Sequence, residues 1–228
     1  MKIKPFFPIA LLLCLCFSAC KKDDNNPGPP ASETYLNTAT GSTWNYHMDD
    51  NSTGTTMSED YVITSTDRDT TINSKTYHVY TTSYGENQYK ALLGNDYYQY
   101  DSLPTGIGSG AIERLYLKDN VAAGATWSQS ITIDVPGAPT PIPFTITNTL
   151  AEKDISRTVN GTVYEEVIHV STAITSSWIP SSSLTTSIHS YFAPKYGLIE
   201  NSNTVHLDFL GITQDLVTET KLTSSSLK

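Results

Sequence analysis

Val159-Asn160-Gly161-Thr162-Val163-Tyr164 is the stretch that decides the fold. Asn-Gly lies here between two runs rich in β-branched residues. It is the pair that supplies positive φ at both central positions of a two-residue hairpin loop. The segment therefore reads as strand, tight turn, strand. Further upstream, Ile72-Asn73-Ser74-Lys75-Thr76-Tyr77 repeats the pattern. Two more blocks precede the hairpins in the same order. Gly41-Ser42-Thr43-Trp44 recurs as Gly124-Ala125-Thr126-Trp127, and at the same offset Ile63-Thr64-Ser65-Thr66 recurs as Ile146-Thr147-Asn148-Thr149. Three ordered blocks with one small insertion imply two copies of a unit of about 80 residues, spanning about 41–120 and 124–220. Within each copy the glycine permits a tight turn and the tryptophan starts a strand by burying a large apolar area.

The rest of the chain follows the same grammar. Strands are expected at Thr43–Met48, Tyr61–Thr64, Thr76–Thr82, Tyr89–Leu93, Tyr97–Tyr100, Ile112–Leu117 and Trp127–Asp134. Later ones are expected at Pro143–Leu150, Thr162–Thr175, Thr185–Phe192 and Val205–Leu216. Turn chemistry separates them at Asp49–Gly54, Gly94-Asn95-Asp96, Gly137 and Asn160-Gly161. The best helical candidate, around Leu210–Leu222, contains Ile212, Val217 and several threonines and is read as a strand. The expected fold class is all-β and antiparallel, with the two repeated units forming a sandwich or a strongly curved sheet, a half-barrel.

The N-terminus reads as an address. Lys2 and Lys4 precede an apolar run from Phe6 to Phe17, and Phe17-Ser18-Ala19-Cys20 closes it. The run is shorter than the roughly 20 residues a bilayer crossing needs, so residues 1–19 read as a cleavable signal peptide. Residues 20–34 contain Pro27-Gly28-Pro29-Pro30 and read as a tether, with folded structure over 35–228.

Phe17-Ser18-Ala19-Cys20 resembles the lipobox of bacterial lipoproteins, and Lys22-Asp23-Asp24 resembles the surface-export tag of Bacteroidetes lipoproteins. The Gly-x-x-Trp strand starts, the Asn-Gly-like hairpins and Tyr191-Phe192-Ala193-Pro194-Lys195-Tyr196-Gly197-Leu198-Ile199 look like a broad set of uncharacterised lipoproteins from that group. The resemblance implies diacylglycerol on the Cys20 thiol, cleavage before Cys20, and an outer-membrane, lipid-anchored protein at the cell surface. A periplasm-facing location is the alternative. More than one acyl chain on a single residue would give stable anchoring, because each buried methylene contributes about 0.8 kcal/mol. The family pattern carries no known activity.

Composition narrows the function further. The formal net charge of −9 becomes −11 once residues 1–19 are removed with Lys2 and Lys4, and the arginines are Arg68, Arg114 and Arg157. Such a chain lacks the basic footprint of a nucleic-acid binder. The cysteines are Cys14, Cys16 and Cys20, so the folded part holds neither a disulfide nor a thiolate metal site.

No catalytic set, metal site or cofactor is expected. His47, His78, His169, His189 and His206 show no zinc spacing, and each reads as a strand-face residue. Gly106-Ile107-Gly108-Ser109-Gly110 is neither a nucleophile elbow nor a phosphate loop. Asp49-Asp50-Asn51 reads as a turn rather than a calcium loop. The candidate ligand-stacking aromatics are Tyr97, Tyr98 and Tyr100, which occupy both faces of one strand, and Trp178 in the loop Ser176–Ser181. Two functions follow from different classes. One is a non-enzymatic surface module binding a glycan or an envelope protein. The other is a periplasm-facing lipid or lipoprotein carrier with a curved sheet around an apolar cavity.

Overall fold

The computed structural model describes residues 33–102, 111–134, 140–209 and 211–228. Residues 1–19, Cys20, Lys22, Asp23 and Asp24, the Gly106–Gly110 loop and the turn at Gly137 lie outside them. The described chain is all-β: β1 (Thr43–Asp50), β2 (Met57–Ile72), β3 (Lys75–Thr82), β4 (Asn87–Leu93), β5 (Asp96–Ser102) and β6 (Ala111–Lys118) make one antiparallel meander. A second meander is made by β7 (Thr126–Ile133), β8 (Ile142–Val159), β9 (Thr162–Thr175), β10 (Leu184–Ala193), β11 (Gly197–Phe209) and β12 (Ile212–Ser226). The two join where β1 pairs antiparallel with β12, giving a single sheet in the order β6-β5-β4-β3-β2-β1-β12-β11-β10-β9-β8-β7. The sheet curls into a nearly closed barrel.

Its seam, between β6 and β7, is held by side chains instead of a backbone ladder. The Gln129 amide stands in for a peptide group: Leu115 N donates to its Oε1 at 3.0 Å, and its Nε2 donates to Glu113 O at 2.5 Å. Leu115 O accepts from Trp127 Nε1 at 2.8 Å and from Asn148 Nδ2 at 3.0 Å. The edge of β6 thus has partners for polar groups that would otherwise template aggregation.

The hairpin reading holds at both turns. Asn73 and Ser74 have φ of 50° and 65°, Asn160 and Gly161 have 47° and 80°, and the closing pairs are Ile72 with Lys75 and Val159 with Thr162. The Gly-x-x-Trp blocks also sit alike. Gly41 N donates to Ser65 O at 2.9 Å as Gly124 N does to Leu150 O at 2.7 Å, and Ser65 N and Leu150 N donate to Ser42 O and Ala125 O, both at 2.9 Å.

Three expectations need correction. The middle block is out of register by two residues: Trp44 faces Ile63, whereas Trp127 faces Asn148, so Ile63 matches Asn148 and not Ile146. The single strand expected over Val205–Leu216 is a hairpin turning at Gly211, φ 77°, because apolar alternation runs straight through Leu207–Ile212 and hides the turn. β2 and β8 are far longer than expected. Met57–Asp60 and Ala151–Thr158 include many exposed polar residues and lack the buried alternation that marks Ile142–Leu150.

Packing is between the meanders as well as along them. Trp44, Tyr46, Ile63 and Tyr80 of the first meet Val159, Tyr164, Val167, Ile199 and Leu222 of the second. Tyr97 and Leu117 meet Leu150, Ile168, Val170 and Phe192, with the Tyr116 ring centred 5.4 Å from that of Phe192 and tilted 37° to it. A third cluster, Ile133, Ile142, Phe144 and Ile179, lies among strands of the second meander. Chain entry is pinned at Tyr35, where folded structure is expected to begin. Tyr35 N donates to Tyr97 Oη at 3.2 Å, and Tyr35 Oη donates to Glu166 O at 2.7 Å.

Candidate functional site

The sheet register places the histidines opposite carboxylates. Direct cross-strand neighbours share a face, and four such neighbours are His47 with Asp60, His78 with Asp69, His169 with Glu152, and His206 with Asp215. In every case Nδ1 meets the acid, at 2.7, 2.8, 2.8 and 2.6 Å. The hydrogen bond to Asp60 raises the pKa of His47 above the usual histidine value. These pairs are 9 to 17 residues apart in sequence. Spacing rules for metal or catalytic histidines do not reach that far, and only the strand register would have found them.

Two of the pairs extend into longer arrays. Ser65 Oγ lies 2.9 Å from His78 Nε2, completing a Ser65–His78–Asp69 array with the connectivity of a hydrolase triad. Ser65 is only 1% exposed, so no substrate reaches its hydroxyl as it stands. The register of β2 against β3 jumps between Ser65 and Asp69, and His78 bonds to both residues flanking that bulge. Stapling the bulge is what this geometry does.

The second array is Glu152, His169, His189 and Ser187. Glu152 Oε2 is 2.8 Å from His169 Nδ1, His169 Nε2 is 2.9 Å from His189 Nδ1, and His189 Nε2 is 3.2 Å from Ser187 Oγ. Tyr191 stacks on His169 with centroids 4.3 Å apart and planes 14° from parallel. The Arg157 guanidinium lies 3.5 Å from the same tyrosine ring, and Arg157 Nε donates to Glu200 Oε2 at 2.6 Å. Burial lowers the His169 pKa below its usual value, and the Glu152 hydrogen bond opposes that shift. The Glu200 hydrogen bond holds Arg157 more firmly charged.

The aromatics singled out from the sequence separate. Tyr97 is 0% exposed and belongs to the core, where its Oη donates to Asp119 Oδ2 at 2.6 Å, so it stacks on no ligand. Tyr98 and Tyr100 lie on the opposite face of β5. The Lys75 ammonium sits 3.2 Å from the Tyr98 ring, and Tyr100 packs beside Tyr77 and Tyr89. Lys75 also pairs with Glu113 at 2.8 Å, and Tyr77 donates to the same carboxylate. Trp178 stands apart at 48% exposure. Its loop is fixed: Trp178 N donates to Ser176 Oγ, Ser176 Oγ donates to Pro143 O at 2.7 Å, and the next residue, Ile179, is buried. Two hollows of about 330 and 270 Å³ lie elsewhere, around Glu33, Asn37 and Lys195 and around Glu33, Glu165 and Tyr196. Among the described residues no three His, Cys, Asp or Glu side chains converge as metal donors.

No family model and no curated protein matches the chain. Two solved structures are similar to it. One is a candidate lipoprotein from Parabacteroides distasonis, 13% identical, with a TM-score of 0.46, covering 86% of this chain and 100% of that one. The other is a candidate exported protein with a YmcC-like fold from Bacteroides fragilis, 9% identical, with a TM-score of 0.41 and the same coverage. At these scores neither likeness carries a property of those proteins over to this chain.

Proposed function

We propose that the chain is a surface lipoprotein, cut before Cys20, acylated there, and anchored in the outer membrane with residues 35–228 displayed on a tether. In this reading the β domain is a non-enzymatic binding module for a glycan or an envelope protein, and Trp178 is its contact residue. The single observation that carries the proposal is an exposed indole on an immobilised loop. A large apolar face held ready in water costs little entropy when it stacks on a sugar ring or fills a partner's pocket. A carrier would need an apolar chamber, whereas here side chains of the two meanders meet across the interior. The two meanders are themselves read as copies of one six-stranded unit, which the matched turns and Gly-x-x-Trp contacts support.

A glycan array probed with the protein tests the binding role. The expected result is a restricted set of hits that Trp178→Ala abolishes, while its unfolding free energy stays within about 0.5 kcal/mol of the parent, as for other exposed sites. Hits that survive Trp178→Ala would remove Trp178 from the site.

A further inference from the structure

We propose that Glu152, His169, His189 and Ser187 form a two-step acid-sensing clasp, which fastens the β8–β9 hairpin to β10 and opens only when both imidazoles are protonated. The proton positions follow from the contacts. A carboxylate only accepts, so Glu152 fixes the His169 proton on Nδ1. His169 Nε2 is then a lone pair, and at 2.9 Å His189 must present Nδ1–H to it. His189 Nε2 is left as an acceptor for the Ser187 hydroxyl. The array thus runs in one direction, and His189 carries its proton on Nδ1.

Acid acts on this array in two unequal steps. The first added proton goes to His189 Nε2, where the Ser187 hydroxyl rotates from donor to acceptor. His189 Nδ1–H still points at the His169 lone pair, so the contact between the rings is retained. The second proton must occupy His169 Nε2. Two N–H groups then face each other at 2.9 Å, two cations are adjacent, and the contact has to break. Charged groups around His169 set the balance. Glu152 on β8 favours its cation. Arg157, also on β8, opposes it from across the Tyr191 ring of β10, and Glu200 of β11 partly neutralises Arg157. The depressed affinity of His169 for protons agrees with its being the later site.

The linkage has a definite sign. A histidine that holds protons less well folded than unfolded makes the unfolded state the better proton binder, so stability is complete above the ordinary histidine pKa of about 6.5 and is lost as the pH falls below it. The irregular stretch of the hairpin lies beside the clasp, while Val159, Tyr164 and Val167 hold its far end in the core. Its arms carry register shifts between Leu150 and Arg157, and Asp154 and Glu166 have φ of 57° and 55°. Beyond the bulges, its attachments to β10 and β11 include the His169–Tyr191 and Arg157–Glu200 contacts.

Long-range ¹H–¹⁵N spectra of the full chain labelled with ¹⁵N-histidine, titrated in the presence of a chelator, test the clasp. The expected result is Nδ1–H on both rings at neutral pH, with the pair taking up its two protons in two separate steps as the pH falls. His169 should titrate in a single step in His189→Asn, whose side-chain amide can still donate to His169. Amide exchange over 152–169, corrected for intrinsic rates, should rise about tenfold or more at the second step and not at the first. An Nε2–H tautomer on His189 at neutral pH overturns the proton assignment. Unchanged hairpin exchange after both rings have titrated overturns the clasp.

Discussion

Tyr97 and Tyr98 are adjacent on β5, yet of the two only the Tyr97 hydroxyl has hydrogen-bond partners among the described residues. Tyr97 Oη accepts from Tyr35 N and donates to Asp119, so Tyr97→Phe strands a buried N–H and a carboxylate oxygen. That change is expected to cost about 1–3 kcal/mol in urea unfolding, while Tyr98→Phe stays within about 0.5 kcal/mol. Equal losses at the two positions would contradict the assignment of faces. The sequence shows that the strand alternates but not which face is inside, because tyrosine suits both. The same ambiguity hides the histidines. Each is visibly a strand residue, but its carboxylate partner is set by register, which a single strand does not encode.

At the scale of elements, turns were the legible feature and strand ends were not. Asn160-Gly161 declares positive φ in its chemistry, and the hairpin forms there. The polar arms of β2 and β8 give no such signal, because polar side chains fill most of their positions, and in β8 even half-buried sites such as Lys153 and Arg157. The β6–β7 seam was invisible for a related reason: a glutamine acting as a peptide surrogate looks like any surface glutamine. Gln129→Ala removes a donor and an acceptor from this seam together. It is expected to cost about 1–3 kcal/mol. Exchange of the Leu115 amide should accelerate while β1 and β12 keep their protection. Uniform acceleration across the sheet, or none at Leu115, would show that Gln129 does not hold the seam.

For the whole molecule, the all-β class was readable from patterning and turn chemistry, and a strongly curved sheet was one of the two architectures they left open, beside a sandwich. The nearly complete closure of a twelve-stranded sheet was not readable, since it depends on β1 meeting β12, the first and last described strands, and on β6 meeting β7 through side chains. Little of the candidate site could be read ahead. Trp178 stood out because a tryptophan in a serine-rich loop has nowhere obvious to pack, while the Glu152–Ser187 array needed three strands aligned before it existed. In the proposed function this barrel is cargo on a lipid anchor. Intact-mass spectrometry of the protein extracted from membranes tests that claim most directly. The predicted result is a chain beginning at Cys20 and carrying diacylglycerol, with Cys20→Ala lacking the acyl mass and leaving the membrane fraction. An unacylated chain, or a Cys20→Ala protein that stays in the membrane, would contradict it.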